Sequence, residues 1–220
     1  MSTNPLNMDL SLRSVFIPST IEALRKYLDV TEAQMEECFH LECCTLETEA
    51  PTDMDEETYD EHLREHRELR DLYDLDLRPS LRYSLLMLLH IVFETHLRIF
   101  CNDIKSQRGL PNIAMKDLRG SAIDQGLIFL TKLANLKVQD FPEWEHLRTL
   151  QKMRNCIVHC FGHVDDSTDG RFLRELASRG VGVSIEGPEG RLSVTKQFCE
   201  QQLAHLLSLF ERLFTAAGWS

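Results

Sequence analysis

The run Arg154-Asn155-Cys156-Ile157-Val158-His159 carries the residue types that cleavage of a phosphodiester requires. When RNA is cut by its own 2′-hydroxyl, one group must take the hydroxyl proton and another must protonate the departing 5′-oxygen. A fixed positive charge must also meet the negative charge that builds on phosphorus. An imidazole suits proton transfer because its ordinary pKa lies near neutrality. A guanidinium stays charged and presents a planar fork to phosphate oxygens. Asn155 and His159 are four apart and share a helix face, so the amide could orient the imidazole or the phosphate. Arg154 and His159 are five apart, about 140° around an ideal helix. One straight helix does not bring both onto one phosphate, whereas two copies related by a twofold axis could.

Other residues extend or compete with this group. Glu94 interrupts the apolar run LLMLLHIVFETHLRIF, where an unpaired acid would cost several kcal/mol. It either orients the catalytic pair or forms a local salt bridge with Arg98. Arg148 and Lys152 precede Arg154 by two turns or less and are candidate RNA-binding cations; solvated helix positions are the simpler explanation for both. Cys156, His159, Cys160 and His163 are all zinc-ligand types. On one helix the outer two lie about 10 Å apart along the axis, too far for one tetrahedral ion, so no metal ligands are assigned.

The elements that hold these residues are predominantly helical. Residues up to about Arg13 look weakly structured. Ser19 and Thr20 cap a helix to about Leu28, and Thr31 with Gln34 resembles a capping box opening another to about Leu46. A loop around Pro51 precedes a helix from about Glu56 to Leu75, with a thin apolar stripe. Pro79 suits the first turn of a helix to about Lys105, apolar nearly all round and therefore central. Helices from Ser121 to about Leu136 and from Pro142 to near Gly162 follow, the latter bearing the motif. Residues 165–180 are polar, a loop with a helical turn. Val181, Val183 and Ile185 alternate, as do Leu192 and Val194 across Gly187-Pro188-Glu189-Gly190, predicting a hairpin. A last helix spans about Thr195 to Thr215. The fold class is all-α: a helical bundle over 77–220 with a small β-hairpin, preceded by an acidic helical extension over 1–76.

Charge divides along the same line. Residues 1–76 hold 6 Lys/Arg and 20 Asp/Glu, a balance of −14; residues 77–220 hold 18 and 15, a balance of +3. The chain's net −11 therefore does not oppose RNA binding by the bundle. The acidic third is either a solvated face, an arm that holds RNA off the bundle, or a dock for a basic partner. Seven cysteines without a regular framework fit free thiols in a reducing cytoplasm. No signal peptide is expected, and the apolar run Leu85–Phe93 is shorter than the roughly twenty residues a membrane span needs.

Taken together, the arginine-asparagine-histidine motif late in a helix, the central helix with Glu94, the helix opening at Gly120-Ser121, and the hairpin and long helix over 181–215 resemble the HEPN domain family. The resemblance covers residues 77–217. It implies a metal-independent endoribonuclease, acting as a toxin or antiviral defence effector through a composite site in a homodimer. Arg154, Asn155, His159 and Glu94 are then the catalytic set. Its implied partners are RNA (tRNA or another structured RNA), a second copy, and an antitoxin or regulatory protein, with no cofactor and no membrane. HEPN toxins controlled by a small nucleotidyltransferase carry a tyrosine two after the histidine. Here that position is Phe161, which lacks the hydroxyl that such control modifies. The competing functions are a non-catalytic HEPN dimer that binds nucleotide or a partner protein, and a zinc-dependent helical module.

Overall fold

The computed structural model describes the backbone of residues 5–50, 53–110 and 113–219, and within these the side chains of 16–48, 50, 53–110 and 113–219. It is an all-α bundle with one two-stranded hairpin. Helix α1 spans Pro5–Glu49, so from Pro5 on the expected weak start is absent, as is the expected break near Leu28; the first four residues lie outside the described ones. The physical reason is visible in the hydroxyls. Ser19 and Thr20 donate back to Phe16 O at 2.9 and 2.8 Å, and Thr31 to Tyr27 O at 2.5 Å. Hydroxyls bonded to the preceding turn continue a helix instead of capping a new one.

Helix α2 spans Glu56–Asp71 and is capped by Asp55, whose carboxylate accepts from Thr58 N at 2.9 Å. The helix does not stop before Pro79. A π-helical segment, Leu72–Leu77, carries it directly into α3, Arg78–Arg108. Pro79 has no N–H to give the carbonyl four residues earlier. That carbonyl, Leu75 O, accepts instead from Arg191 at 3.1 Å. By length and composition Glu56–Arg108 could cross a membrane. In the fold, Leu85, Leu86, Leu89, Phe93 and Leu97 are buried in the core among residues of α1, α5 and α7.

Gly109, left-handed at φ 57°, ends α3. Helix α4, Ala122–Ile128, opens with a reciprocal capping box between Ser121 and Asp124, and a π-helical segment, Phe129–Leu133, closes it. Helix α5, Glu143–Cys160, begins after Pro142 and ends on Phe161 at φ 52°. The predicted polar loop is in part a helix, α6 (Gly170–Ser178), with Leu173 and Leu176 buried. Its apolar face is too short to rise above the surrounding charge in the sequence. Strands β1 (Val183–Glu186) and β2 (Arg191–Val194) pair antiparallel with Val183 opposite Val194 and Ile185 opposite Leu192. Helix α7, Lys196–Ala217, is capped by Thr195.

The N-terminal third divides at Leu28. Ile17, Ile21 and Leu28 are buried in the same cluster as the core of α3, α5 and α7. Past Leu28, no described side chain of α1 or α2 is buried. The base of the projecting pair is tied down by Asp29–Lys196, Glu32–Arg82 and Glu36–Arg78 ion pairs of 2.5–2.6 Å. All seven cysteines are free.

Candidate functional site

Helix α5 points Leu147, Leu150, Met153, Cys156 and Ile157 into the core. Its polar residues fall on two flanks, because each step turns the helix about 100°. Arg154 projects on one flank, while Arg148, Lys152 and His159 share the other.

On the first flank, Arg154 meets α3. Its Nη1 donates to Asn155 Oδ1 at 3.3 Å, and its charge acts on the buried His90. His90 is 5% exposed. Burial is the main force holding its pKa below the ordinary value; Arg154 adds to that and Glu94 opposes it. His90 Nδ1 lies 3.8 Å from Glu94 Oε1, so Glu94 faces back one turn to His90 rather than forward to Arg98. Glu94 is itself half-exposed, which spares the carboxylate most of the burial cost. His90 is the residue that sequence reasoning missed. Its signal was its spacing, four before Glu94 on an otherwise apolar helix.

On the second flank, the cations already have intramolecular partners. Arg148 Nη2 lies 3.1 Å from Asp124 Oδ1 and fastens α5 to α4. Asp124 has its carboxyl held below the usual range, first by the Ser121 hydroxyl and further by Arg148. Lys152 Nζ sits 3.6 Å above the centre of the Phe172 ring and fastens α5 to α6. His159 is exposed and has no hydrogen-bond or ion-pair partner among the described residues. Of the six sequence-selected residues, Arg154 and Glu94 meet His90, and Asn155 accepts from Arg154. His159 lies on the other flank, about two turns beyond Lys152.

The zinc-type residues do not converge. Cys156 is buried, which pushes its thiol pKa up, and it donates to His163 O at 3.7 Å. His163 Nδ1 faces Glu189 Oε2 at 3.7 Å. Among the described residues no three His, Cys, Asp or Glu side chains are grouped to hold a metal ion. A cleft of about 460 Å³ between α1, α3 and α7, lined by Phe16, His96, Ile99 and Phe214 among others, contains none of the motif residues.

The end of α5 is built by close approach. Gly162, at φ 86°, passes so near Tyr83 that a Cβ would lie 2.3 Å from its Oη. The Tyr83 hydroxyl donates to Leu192 O, and Leu192 N donates to Gly162 O at 2.8 Å. The C-terminus of α5 is thereby seated against the hairpin and the start of α3.

No family model, curated protein or solved structure matches the chain.

Proposed function

We propose that this protein is a HEPN-like, metal-independent endoribonuclease working as a homodimer, a toxin or antiviral effector that cuts tRNA or another structured RNA. One observation carries the reading: Arg154 and His159 occupy opposite flanks of α5. Arg154 is backed by His90 and Glu94 on α3, while His159 is exposed and has no partner among the described residues. Neither residue completes a site within one chain; each completes one across a twofold axis. Exposed apolar residues on the two helices that carry these residues supply a surface for a second copy: Leu88 (40%) and Ile91 (56%) on α3, and Val158 (46%) on α5.

In this site Arg154 binds a non-bridging phosphate oxygen and stabilises charge as it develops. The 2′-oxygen attacks phosphorus and the P–O5′ bond breaks. His159 of the other copy takes the 2′-hydroxyl proton, and the departing O5′ takes a proton from water. The products are a 2′,3′-cyclic phosphate and a 5′-hydroxyl. Asn155 orients Arg154 through its amide oxygen, and Glu94 with His90 holds that arrangement from α3.

Purified wild type should cut RNA in the presence of EDTA and leave cyclic phosphate ends. Arg154→Ala and His159→Ala should fold and dimerise but leave RNA intact. The second reading, a non-catalytic HEPN dimer that binds nucleotide or a partner protein, is favoured by Arg148 and Lys152 being engaged within the chain. It moves ahead if wild type leaves a broad RNA panel uncut.

A further inference from the structure

Arg191 opens β2, and its guanidinium meets three separate stretches of chain. Nη1 donates to Leu75 O at 3.1 Å and to Asp76 Oδ1 at 2.8 Å, both in the π-helical segment that joins acidic α2 to α3. The guanidinium carbon stands 5.1 Å from the centre of the Phe161 ring and 5.9 Å from that of Tyr83. The backbone adds a bridge between His163 and Arg191 and a hydrogen bond of 3.1 Å from Val164 N to Gly190 O. The side chain is 19% exposed, and its Nε is buried without a partner among the described residues.

Each contact has a cause in the sequence. Pro79 leaves Leu75 O available, the left-handed Phe161 turns the chain out of α5, and glycine at 162 lets Tyr83 approach. Arginine suits this place because one planar group can pair with a carboxylate and lie beside aromatic rings. A guanidinium only 19% exposed is costly to leave without its carboxylate. Anything that draws Asp76 away therefore forces Arg191 to re-solvate, and its contact with Phe161 is lost with it. Phe161 is two residues beyond His159.

We infer that Arg191 is a positioning residue that sets the end of α5, and with it His159, according to the placement of the acidic arm. The activity part of this inference rests on the proposed role of His159; the structural part does not.

The test uses full-length wild type, Arg191→Lys, Arg191→Ala and Asp76→Asn. The control is Arg174→Ala, which breaks only the exposed pair with Asp165. Three readouts apply: the ring resonances of His159, hydrogen exchange at the Leu192 amide, and RNA cleavage. Arg191→Lys keeps the charge but loses the planar contact, so it should unfold close to wild type while shifting the His159 resonances. Exchange at Leu192 should quicken about tenfold as the local seat opens. The cleavage kcat should fall about tenfold or more with KM little changed, the signature of a misplaced catalytic group. Asp76→Asn should shift the same resonances in the same direction by less. The inference is overturned if Arg191→Lys and Asp76→Asn leave His159 and the Leu192 amide as they are in the control. It is also overturned if those signals change only as part of global unfolding. Should wild type cut no RNA, the proposed function fails, and the resonance and exchange data still decide the role of Arg191. Should Arg191→Ala not fold, the lysine and asparagine variants decide it.

Discussion

His90 Nδ1 stands 3.8 Å from Glu94 Oε1 across one turn of α3, and the same imidazole feels the charge of Arg154 on α5. An imidazole buried between an acid and a guanidinium is held neutral chiefly by burial, and its pKa lies below the ordinary 6.5. His96 and His205 are lowered as well, both first by burial. In the unfolded chain these groups take up protons near pH 6.5, while in the folded chain they resist until lower pH. The unfolded state then binds more protons, so stability is lost as pH falls from about 6.5 through the folded pKa values. Urea midpoints at pH 7.5 and 5.5 should show this loss, and His90→Gln should make it smaller. An unchanged slope would mean that His90 titrates as it does in the unfolded chain.

Leu28 is fully buried with residues of α3 and α7, although it belongs to the acidic third. Leu28→Ala should destabilise the whole bundle by about 2–5 kcal/mol, the usual range for a buried leucine. Chemical denaturation followed by circular dichroism measures it. The same burial means that deleting residues 1–76 would strip the core as well as the charge. Autoinhibition by the arm is better tested by neutralising acids beyond Leu28 and measuring RNA affinity at low salt.

Gly162 combines a left-handed backbone with a closest approach to Tyr83. Gly162→Ala should cost about 1–2 kcal/mol for the backbone conformation alone, with the clash in addition. Tyr83→Phe should cost about 1 kcal/mol through loss of its bond to Leu192 O. Thermal melts of the two variants should therefore rank Gly162→Ala lower.

Arg148 pairs with Asp124 at a half-exposed site. Arg148→Ala should lower stability by no more than about 1 kcal/mol, and Asp124→Ala by more, because it also removes the capping box of α4, with the double variant no worse than the sum. If RNA affinity falls with Arg148→Ala but not with Asp124→Ala, the guanidinium contacts phosphate in spite of its partner.

Much of this was legible in the sequence where one residue pattern had one physical outcome. The all-round apolar face of α3 announced a central helix, and the alternation around Gly187-Pro188-Glu189-Gly190 announced the hairpin. Pro79 does sit in the first turn of α3 as its type predicts, but the continuity of the chain past Thr31 and through the π-helical Leu72–Leu77 was not legible. Threonine can cap or bond backwards, and a turn before a proline can break or stay helical; tertiary packing chose in both cases. At the site, the wide angle between Arg154 and His159 followed from spacing alone. The engagement of Arg148 by Asp124 and of Lys152 by Phe172 did not, since those partners lie 24 and 20 residues away. Arg191 carried no local signal, because its meaning lies in contacts 115 and 116 residues distant.

The most direct test of the central claim is complementation between inactive variants. Arg154→Ala and His159→Ala homodimers are purified, mixed, allowed to exchange subunits, and assayed on RNA with EDTA. If each site takes Arg154 from one copy and His159 from the other, the mixed dimer holds one intact site. Cleavage absent from either variant alone should then return, with 2′,3′-cyclic phosphate ends. If wild type cuts RNA but the exchanged mixture stays inactive, the site lies within one chain and the composite-dimer account is contradicted.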